Sequence, residues 1–493
     1  MFNFWRINKK VEFTKDNEIL GSLSSKNVKE VLGDSSDIIV KKVYINNDKD
    51  FNITAFGIDG MVDTNIVDNF ILKPLASNEK VLRAKNEKEL FNLVTDGIIY
   101  HFDQKIVEDL SKAVDSILKG LTVLVFDSLK KAVVFDAKKL AGRSITTPPN
   151  ESALLGSQEA FVENIRVNTS LIRKKVKSVS LRFFDITVGI TTKTSIQVVY
   201  LTNITDKDIL NKVISRIEKI KSEDVISSNI LKNAINDNKY SFFPQVLFTE
   251  RVDKFCSNIL DGKVGILVDG LPVGYIVPGV FNMFFQAPED YDENYFISSF
   301  IRFMRYFCAT LTLILPGFYV AITTFHHEMI PASLIASIIE SKEGVPFPTT
   351  LEVLGMLLAF EILLEASLRL PKSIGATISI IGGLVIGDAA VNAKIISPAV
   401  VVVIAIAGIA DFVMPYQPLS NSFRICRLLL VIASSIAGLF GLSFGIMVIV
   451  YYLSQMEVLG VPYLVPFVAN EGRKVLHDTI IAVPSNKGMN DDE

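Results

Sequence analysis

The distribution of hydrophobic positions divides this chain into two parts. Up to about Phe296, short apolar stretches alternate with polar ones, as in a soluble α/β protein. From Phe303 to Leu453 the chain instead carries long apolar runs of about 17–25 residues, the length that a helix needs to cross about 30 Å of hydrocarbon. These runs are Phe303–Phe325, Gly375–Val391, Ile395–Met414 and Leu428–Leu453. The pattern predicts an α/β head of two sub-domains, followed by an all-α polytopic membrane domain.

The adjacent prolines Pro148 and Pro149 interrupt regular structure and indicate a boundary between the two sub-domains. Two windows inside the head have helical periodicity, Lys105–Leu118 and Gln245–Leu260, and each is predicted as helix. The two sub-domains are similar in size, although no sequence period proves that they are repeats. The predicted segments are a leader at 1–30, an N-terminal α/β sub-domain at 31–143, a linker and connecting helix at 144–180, a second α/β sub-domain at 181–294, a membrane domain of four or five helices at 295–460, and a polar tail at 461–493.

Composition restricts the partners that the chain can have. The net charge is -3, so no bulk attraction to nucleic acid is expected, and the mean hydropathy of +0.37 comes from the C-terminal part. The segment Met1–Glu30 lacks the apolar core of a secretory signal, which predicts a cytosolic head. Arg302 and Arg305, near the start of the first span, agree with retention of the N-terminal side in the cytosol. The three cysteines are far apart and are expected to be buried thiols.

The segment Thr349–Leu370 is too charged for an ordinary lipid-facing span, because it carries Glu352, Glu361, Glu365 and Arg369. The last three residues are spaced four apart and share one helical face. An amphipathic helix at the membrane interface is the first interpretation. An acidic face formed by Glu361 and Glu365 on a water-filled vestibule is the second, and a buried Glu–Arg pair with only a structural role is the third.

The span Gly375–Val391 is rich in small residues, which let membrane helices pack closely. A ring of such helices around a symmetry axis would instead form a narrow conduit. Ser379, Gly383 and Ile386 are then the candidate lining or gate, and Asp388 is a candidate mouth. An apolar ring can gate a pore by dewetting.

Two charged motifs lie outside the predicted spans. Glu289, Asp290 and Tyr291 come just before the first span, where they form either a coupling element between head and membrane or merely a soluble collar. For Arg173-Lys174-Lys175, a phosphate or lipid-headgroup site is one interpretation, but a solvated helix end is favoured.

The sequence contains no phosphate-binding loop, dinucleotide fingerprint or nucleophile elbow, so we expect no enzyme and no cofactor. His326-His327-Glu328 lacks the second histidine of a zinc-protease motif, because position 331 is Pro331. No metal site is therefore predicted.

Several motifs between about Ser144 and Val465 together resemble the spore germination receptor A-subunit family (the GerA family). The paralogous stage V sporulation AF class shares them, and Arg173-Lys174-Lys175 stands where the family commonly has arginines. The motifs are the segment from Gly156 to Lys175, Leu267-Val-Asp269-Gly270-x-Pro272, Glu289-Asp290-Tyr291, Pro316-Gly317-Phe318-Tyr319, Glu343-Gly344-Val-Pro346-Phe347-Pro348, Arg369-Leu370-Pro371 and Ile386-Gly387-x-Ala389-Ala390-Val391.

This resemblance implies a protein of endospore-forming bacteria, located in the spore inner membrane with its head in the spore core. It implies a homo-oligomer, a pentamer, that acts as a nutrient-gated ion channel releasing monovalent cations. The implied partners are a transporter-like, germinant-binding B subunit and a lipoprotein C subunit. A secondary solute transporter is the alternative from the spans themselves, although no inverted repeat is evident. A non-conducting scaffold for germination partners is the third possibility.

Overall fold

The structure is a computed structural model that describes residues 21–45, 51–99, 103–139, 148, 151, 156–220, 228–369, 385, 387–468 and 479–481. The chain divides into two units. The head unit contains Met1–Asn236 and Val246–Pro278, and the helical unit contains Asp237–Gln245 and Gly279–Glu493. The predicted order of an α/β head followed by a helical domain is confirmed. The helical unit, however, also takes in residues 237–245 and 279–294, both of which the sequence placed in the second sub-domain.

The first sheet of the head unit forms from runs of β-branched and aromatic residues, which favour strands. Its strands are antiparallel and lie in the order β1-β2-β4-β5-β3. Alternate residues of the central strands belong to cores on opposite faces: Leu124 and Phe126 pack on one side, and Val123 and Val125 on the other. The strands are β1 Ile38–Tyr44, β2 Asn52–Ile58, β3 Gln104–Val107, β4 Thr122–Phe126 and β5 Lys131–Phe135.

Helices cover both faces of this sheet. The helices α1 and α6 contribute Val28, Leu32 and Val114 to one core, whereas the shorter helices between β2 and β3 contribute Leu75 and Leu90 to the other. The helices are α1 Ser25–Leu32, α2 Thr64–Ile66, α3 Lys73–Ser77, α4 Glu79–Leu82, α5 Glu87–Leu93 and α6 Leu110–Leu118, with π-helical turns at Val67–Leu72 and Val94–Ile98.

The second sheet repeats the arrangement of the first. Its strand order is β6-β7-β9-β10-β8, which is the order of the first sheet with every strand number raised by five. In both sheets a helix precedes the first strand, and a short third strand leads into a helix that ends at a glycine with positive φ, Gly120 or Gly262. The elements are α7 Ile165–Lys175, β6 Leu181–Val188, β7 Thr194–Leu201, α8 Lys207–Glu218, α9 Ser228–Ile235, β8 Leu247–Thr249, α10 Val252–Leu260, β9 Val264–Val268 and β10 Gly274–Val277.

The third strand of each sheet lies in a window that the sequence predicted as entirely helical, so that prediction is wrong for both. In the window Lys105–Leu118, the first residues belong to β3 and pair with β5. The helix begins only after Asp109, whose side chain accepts a hydrogen bond from the backbone nitrogen of Ser111 at 3.1 Å. In the window Gln245–Leu260, β8 pairs with β10 before α10 begins. Strands of three or four residues are too short to show a period of two.

A buried ion pair joins the two halves of the head unit. Arg173 of α7 donates from Nε to Asp37 Oδ2 at 2.9 Å and from Nη2 to Asp37 Oδ1 at 3.1 Å, and both side chains are only 1% exposed. Its remaining donors reach the carbonyl oxygens of Ser178 and Leu181. The favoured solvated helix end is therefore wrong for Arg173, because a bidentate partner more than 100 residues away offsets its desolvation.

The two lysines that follow Arg173 have a different partner. Lys174 Nζ lies 3.3 Å from Glu159 Oε1 and Lys175 Nζ lies 3.0 Å from Glu159 Oε2. Burial alone would raise the pKa of Glu159, but Lys175 and Lys174 hold it below its usual value. The basic run therefore stabilises the head unit.

Replacing Arg173 with methionine should destabilise the protein by about 3–5 kcal/mol, because Asp37 would stay buried without its partner. The matched control is Arg166→Met on the same helix. Arg166 is 75% exposed and lies 3.4 Å from Asp59, so its loss should cost less than about 1 kcal/mol. Thermal unfolding of the detergent-solubilised protein, followed by circular dichroism, measures both. Equal midpoint shifts for the two variants would contradict the assignment.

Long helices dominate the helical unit. Two of them are long and apolar enough to cross a membrane, among the residues described: α11 Tyr295–Thr324 and α15 Gln417–Gln455. The others are α12 Ala332–Lys342, α13 Thr349–Arg369 and the shorter apolar α14 Pro398–Phe412. Residues 387–392 are also helical, but most of the predicted span Gly375–Val391 lies outside the described residues and stays a prediction.

The helix α15 is a hairpin and not one straight rod. Ala437 and Gly438 leave helical geometry, with φ of 58° at Gly438. A Cβ atom on Gly445 would lie 2.5 Å from Leu430 Cδ2, whereas these two positions would be about 22 Å apart in a continuous helix. The predicted single span Leu428–Leu453 therefore folds back on itself, and its two arms, residues 417–436 and 439–455, run antiparallel.

Contacts within the helical unit define two ends of a bundle. The turn at Gly438 lies against Phe325 and His326, where α11 ends. At the opposite end, Phe423 and Tyr452 from the two arms of α15 both pack against Phe243, at ring distances of 6.4 and 6.1 Å. The polypeptide that follows α15 therefore starts at the end of the bundle where α11 begins.

The charged helix α13 packs inside this bundle. Val353 and Leu357 are fully buried, in a core with Val400, Ile404 and other residues of α11, α14 and α15. Glu352 contacts the start of α14, and Phe360 packs against Phe412 near its end at 6.5 Å, so α13 and α14 run parallel. This packing favours a bundle helix over the predicted interfacial helix.

The segment 237–245 belongs to the helical unit because its two phenylalanines are anchored there. Phe242 stacks on Tyr452 at 5.9 Å, and Phe243 contacts Tyr463 at 6.5 Å. Ser422 Oγ also donates to the carbonyl oxygen of Phe242. Aromatic contacts of this kind stabilise beyond the area that they bury, so the chain leaves the α/β fold here and returns to it.

Replacing Gly438 with alanine should destabilise the helical unit by about 1–3 kcal/mol, because an L-residue is strained at this φ and ψ. The added Cβ would also lie 2.8 Å from His326 Cε1. Gly355→Ala is the control, since among the described residues no atom outside the backbone of its own helix and its chain neighbours lies within 4 Å of that Cβ position, and alanine favours a helix. Thermal unfolding in detergent compares the two, and a straight α15 would predict stabilisation by both substitutions.

Candidate functional site

A buried ionic cluster lies at the start of α11. The 3-10 turn Pro288–Tyr291 directs Asp290 inward, where its Oδ2 accepts from Arg302 Nε at 3.1 Å, from Arg305 Nη1 at 2.7 Å and from the backbone of Ala287 at 3.1 Å. Arg305 also donates to the carbonyl oxygen of Phe285 at 3.1 Å. The turn that precedes the helix is thus fixed to the first turns of α11 by charge-assisted hydrogen bonds.

Of the three predicted coupling residues, Asp290 has this central position. Glu289 is half-buried on the same turn, and the side chain of Tyr291 lies outside what the structure describes. From the sequence, Arg302 and Arg305 bear only on membrane topology. Their spacing of three residues, which places both on one face of a helix, was the signal that they share a partner.

A second ionic cluster lies between α13, α14 and α15. Arg427 donates to Glu361 at 3.0 Å and is only 1% exposed, and Arg424 lies 3.5 Å from the other Glu361 oxygen. Arg424 also donates to Asp411 at 2.7 Å, and Ser420 completes the cluster with a bond of 2.8 Å to Asp411. Two carboxylates thus meet two guanidinium groups, which leaves this cluster without net charge.

Glu361 and Glu365, predicted to share an acidic face, have different surroundings. Glu361 points into the ionic cluster, whereas Glu365 is exposed and pairs with Arg369 at 2.6 Å on its own helix. The arrangement resembles the third sequence interpretation, a structural Glu–Arg pair, but the partner of Glu361 is Arg427 and not Arg369. Asp411 was missed altogether, because its partner Arg424 lies beyond a helix end and a turn.

The structure describes only one of the candidate pore residues. Ser379, Gly383 and Ile386 lie outside the described residues. Asp388 is on the helical stretch 387–392 and is exposed in the single chain. Its assignment to the mouth of a conduit stays a prediction.

The outer surface of the helical unit is strongly apolar. Ile409 of α14 and Ile436 and Phe440 of α15 are 68–74% exposed, whereas the arginines of α11 and α15 are paired inside. Soluble proteins rarely expose so much apolar surface. An α/β head followed by such a bundle fits the class of membrane proteins.

The chain belongs to the GerA spore germination family. The family model described as Bacillus/Clostridium GerA spore germination protein matches residues 26–492. Spore germination protein KA of Bacillus subtilis (strain 168) is 34% identical over 476 residues, covering 95% of this chain and 86% of the relative. The uncharacterized membrane protein YfkQ of the same organism is 36% identical over 407 residues, covering 83% and 78%.

A solved structure is also similar. The N-terminal domain of the A subunit of the Bacillus megaterium spore germinant receptor GerK3 is 25% identical, with a TM-score of 0.40, and the match covers 53% of this chain and 97% of that one. The resemblance to the GerA family that the sequence motifs suggested is confirmed by the family match.

Replacing Asp290 with asparagine should destabilise the helical unit by about 3–5 kcal/mol, because two buried guanidinium groups lose their shared carboxylate charge. Asp292→Asn makes the same chemical change two residues away on an exposed side chain and should cost less than about 1 kcal/mol. The thermal midpoint of the solubilised protein is the measurement. If Asp292→Asn were as damaging as Asp290→Asn, the cluster would not be what fixes the turn.

Proposed function

We propose that this chain is the A subunit of a nutrient-responsive spore germinant receptor, and that several copies form a gated ion channel that releases monovalent cations. The observation that carries the proposal is the helical unit of a spore germination family member, with an apolar outer surface and charges paired inside. Such a unit is suited to lipid, because ionisable groups at membrane depth face the bundle interior and pair there.

The location and topology follow from the same proposal. The protein resides in the spore inner membrane with its head in the spore core, as the positions of Arg302 and Arg305 favour. Because the chain after α15 starts at the end of the bundle where α11 begins, the tail is then on the side of the head. A transporter-like B subunit and a lipoprotein C subunit are the proposed partners.

The conduit would require more than one copy. We propose a homo-oligomer, a pentamer, in which the span Gly375–Val391 lines the axis and Asp388 lies at its mouth. Neighbours in such a ring contact each other through two different faces, and the ring closes at only one rotation angle. The ionic cluster of Glu361 and Arg427 would then stiffen the bundle behind the conduit, and no catalytic step is assigned to it.

The coupling between nutrient sensing and opening would use the two anchors at the start of the bundle. One is the turn at Asp290, fixed to Arg302 and Arg305. The other is the segment 237–245 with Phe242 and Phe243, and the chain on both sides of this segment belongs to the head unit. A conformational change in the head would then reach the helices through the covalent connections at both anchors.

Spores that carry Ile386→Ser should lose cations without nutrient, because a polar side chain would hydrate an apolar gate. Val402→Ser, at an exposed apolar position of α14, is the control and should retain ions normally. Flame photometry of the spore supernatant measures the leak. Unchanged retention in Ile386→Ser, and in Gly383→Ser, would remove these residues from the gate.

Recordings on the purified chain separate the channel from its alternatives. Single-channel conductance in a planar bilayer from this subunit alone would support the channel and exclude a pure scaffold. Saturable solute uptake into proteoliposomes without unitary conductance would favour a transporter instead.

A further inference from the structure

Three buried oxygen atoms near the C-terminal end of α11 belong to residues that interact with one another. They are Glu352 Oε1 of α13, Ser397 Oγ at the start of α14 and Tyr319 Oη of α11, and each lacks a hydrogen-bond partner among the described residues. All three residues are at least nine-tenths buried. The Tyr319 hydroxyl interacts electrostatically with Glu352 and lies beside Ser397, although no hydrogen bond of acceptable geometry joins the two hydroxyls.

Such a cluster is costly unless something completes it. Burying a polar atom without a hydrogen-bond partner destabilises the folded protein by about 1–3 kcal/mol. Ser397 is the residue before α14, but its hydroxyl makes no cap to that helix. Its backbone nitrogen instead donates to Glu352 Oε2 at 2.7 Å, which fixes one oxygen of the carboxylate and leaves Oε1 without a hydrogen bond to any described residue.

One cation already lies at the rim. Lys342 Nζ, at the end of α12, is 3.6 Å from Glu352 Oε1, which is too long for a hydrogen bond, and it contacts Thr349 Oγ1. The Lys342 side chain is 27% exposed, whereas that of Glu352 is fully buried. The ammonium can therefore move toward solvent, while the carboxylate cannot.

The chemistry of the cluster selects its ligand. A carboxylate and hydroxyl oxygens are hard ligands that suit cations of the alkali and alkaline-earth groups. A single negative charge matches a monovalent ion and offers too little to dehydrate a divalent one. The N-terminus of α14 already offsets part of the carboxylate charge, so a weak affinity in the millimolar range is expected.

We propose that Glu352, Tyr319 and Ser397 form a binding site for a monovalent metal cation, in competition with the Lys342 ammonium. Glu352 Oε1 and both hydroxyl oxygens would coordinate the ion, while the Lys342 side chain turns outward. The site does not rest on the proposed channel, because binding can be measured in a protein that conducts nothing.

The test uses the full-length protein in detergent, with its thermal midpoint followed as choline chloride is replaced by NaCl or KCl at constant ionic strength. The wild-type midpoint should rise and saturate with one of the two ions. Lys342→Gln should lower the apparent dissociation constant about tenfold, because it removes the tethered competitor. The matched control, Arg369→Gln, makes the same charge change on an exposed side chain and should leave the titration as in the wild type.

Variants of the ligands complete the experiment. Ser397→Ala and Tyr319→Phe should each weaken the cation effect in the Lys342→Gln background, and Glu352→Gln should abolish it. The proposal is overturned if Lys342→Gln and Arg369→Gln titrate alike, which would indicate surface screening. It is also overturned if no variant saturates, which would indicate a bound water only. If Glu352→Gln does not fold, Ser397→Ala still tests the site, because the Ser397 hydroxyl caps no helix and its removal should leave the fold intact.

Discussion

A charge that leaves water must meet an opposite charge, and this constraint organises both units of the protein. In the head, Arg173 and Asp37 meet across the two halves of the α/β fold. In the helical unit, Asp290 meets Arg302 and Arg305, and Glu361 and Asp411 meet Arg424 and Arg427. Each cluster fixes the relation of elements that are distant in sequence, because a lone member would be expensive to bury.

The same constraint explains which parts of the fold the sequence could predict. Long apolar runs and β-branched stretches are local signals, so the order of an α/β head followed by a helical domain was predicted correctly. The partners of Arg173 and Glu361 depend on tertiary contacts, and nothing in the neighbouring residues indicates them. The strands β3 and β8 were missed because three or four residues that lead into a helix cannot show their own period.

The candidate site divides in the same way. Asp290 was identified from its position before an apolar run, and the structure adds the two arginines that it holds. Glu352 was noted only as a charge that disfavours lipid, because its neighbours Tyr319 and Ser397 come from two other helices. Gly438 could not be distinguished from the glycines that let helices pack closely, since both kinds lie in apolar sequence. The duplicated strand order of the head is likewise invisible in the sequence, because topology can persist after residue similarity is lost.

The turn at Gly438 has a consequence for any count of membrane crossings. Hydropathy assigns one crossing to the run between Leu428 and Leu453, but a hairpin returns the chain to the side that it left. The parity of the count changes, and with it the compartment assigned to everything downstream. If the bundle spans the membrane as proposed, a reporter fused after α15 would share its compartment with one fused before α11, so the same proteases and labelling reagents would reach both.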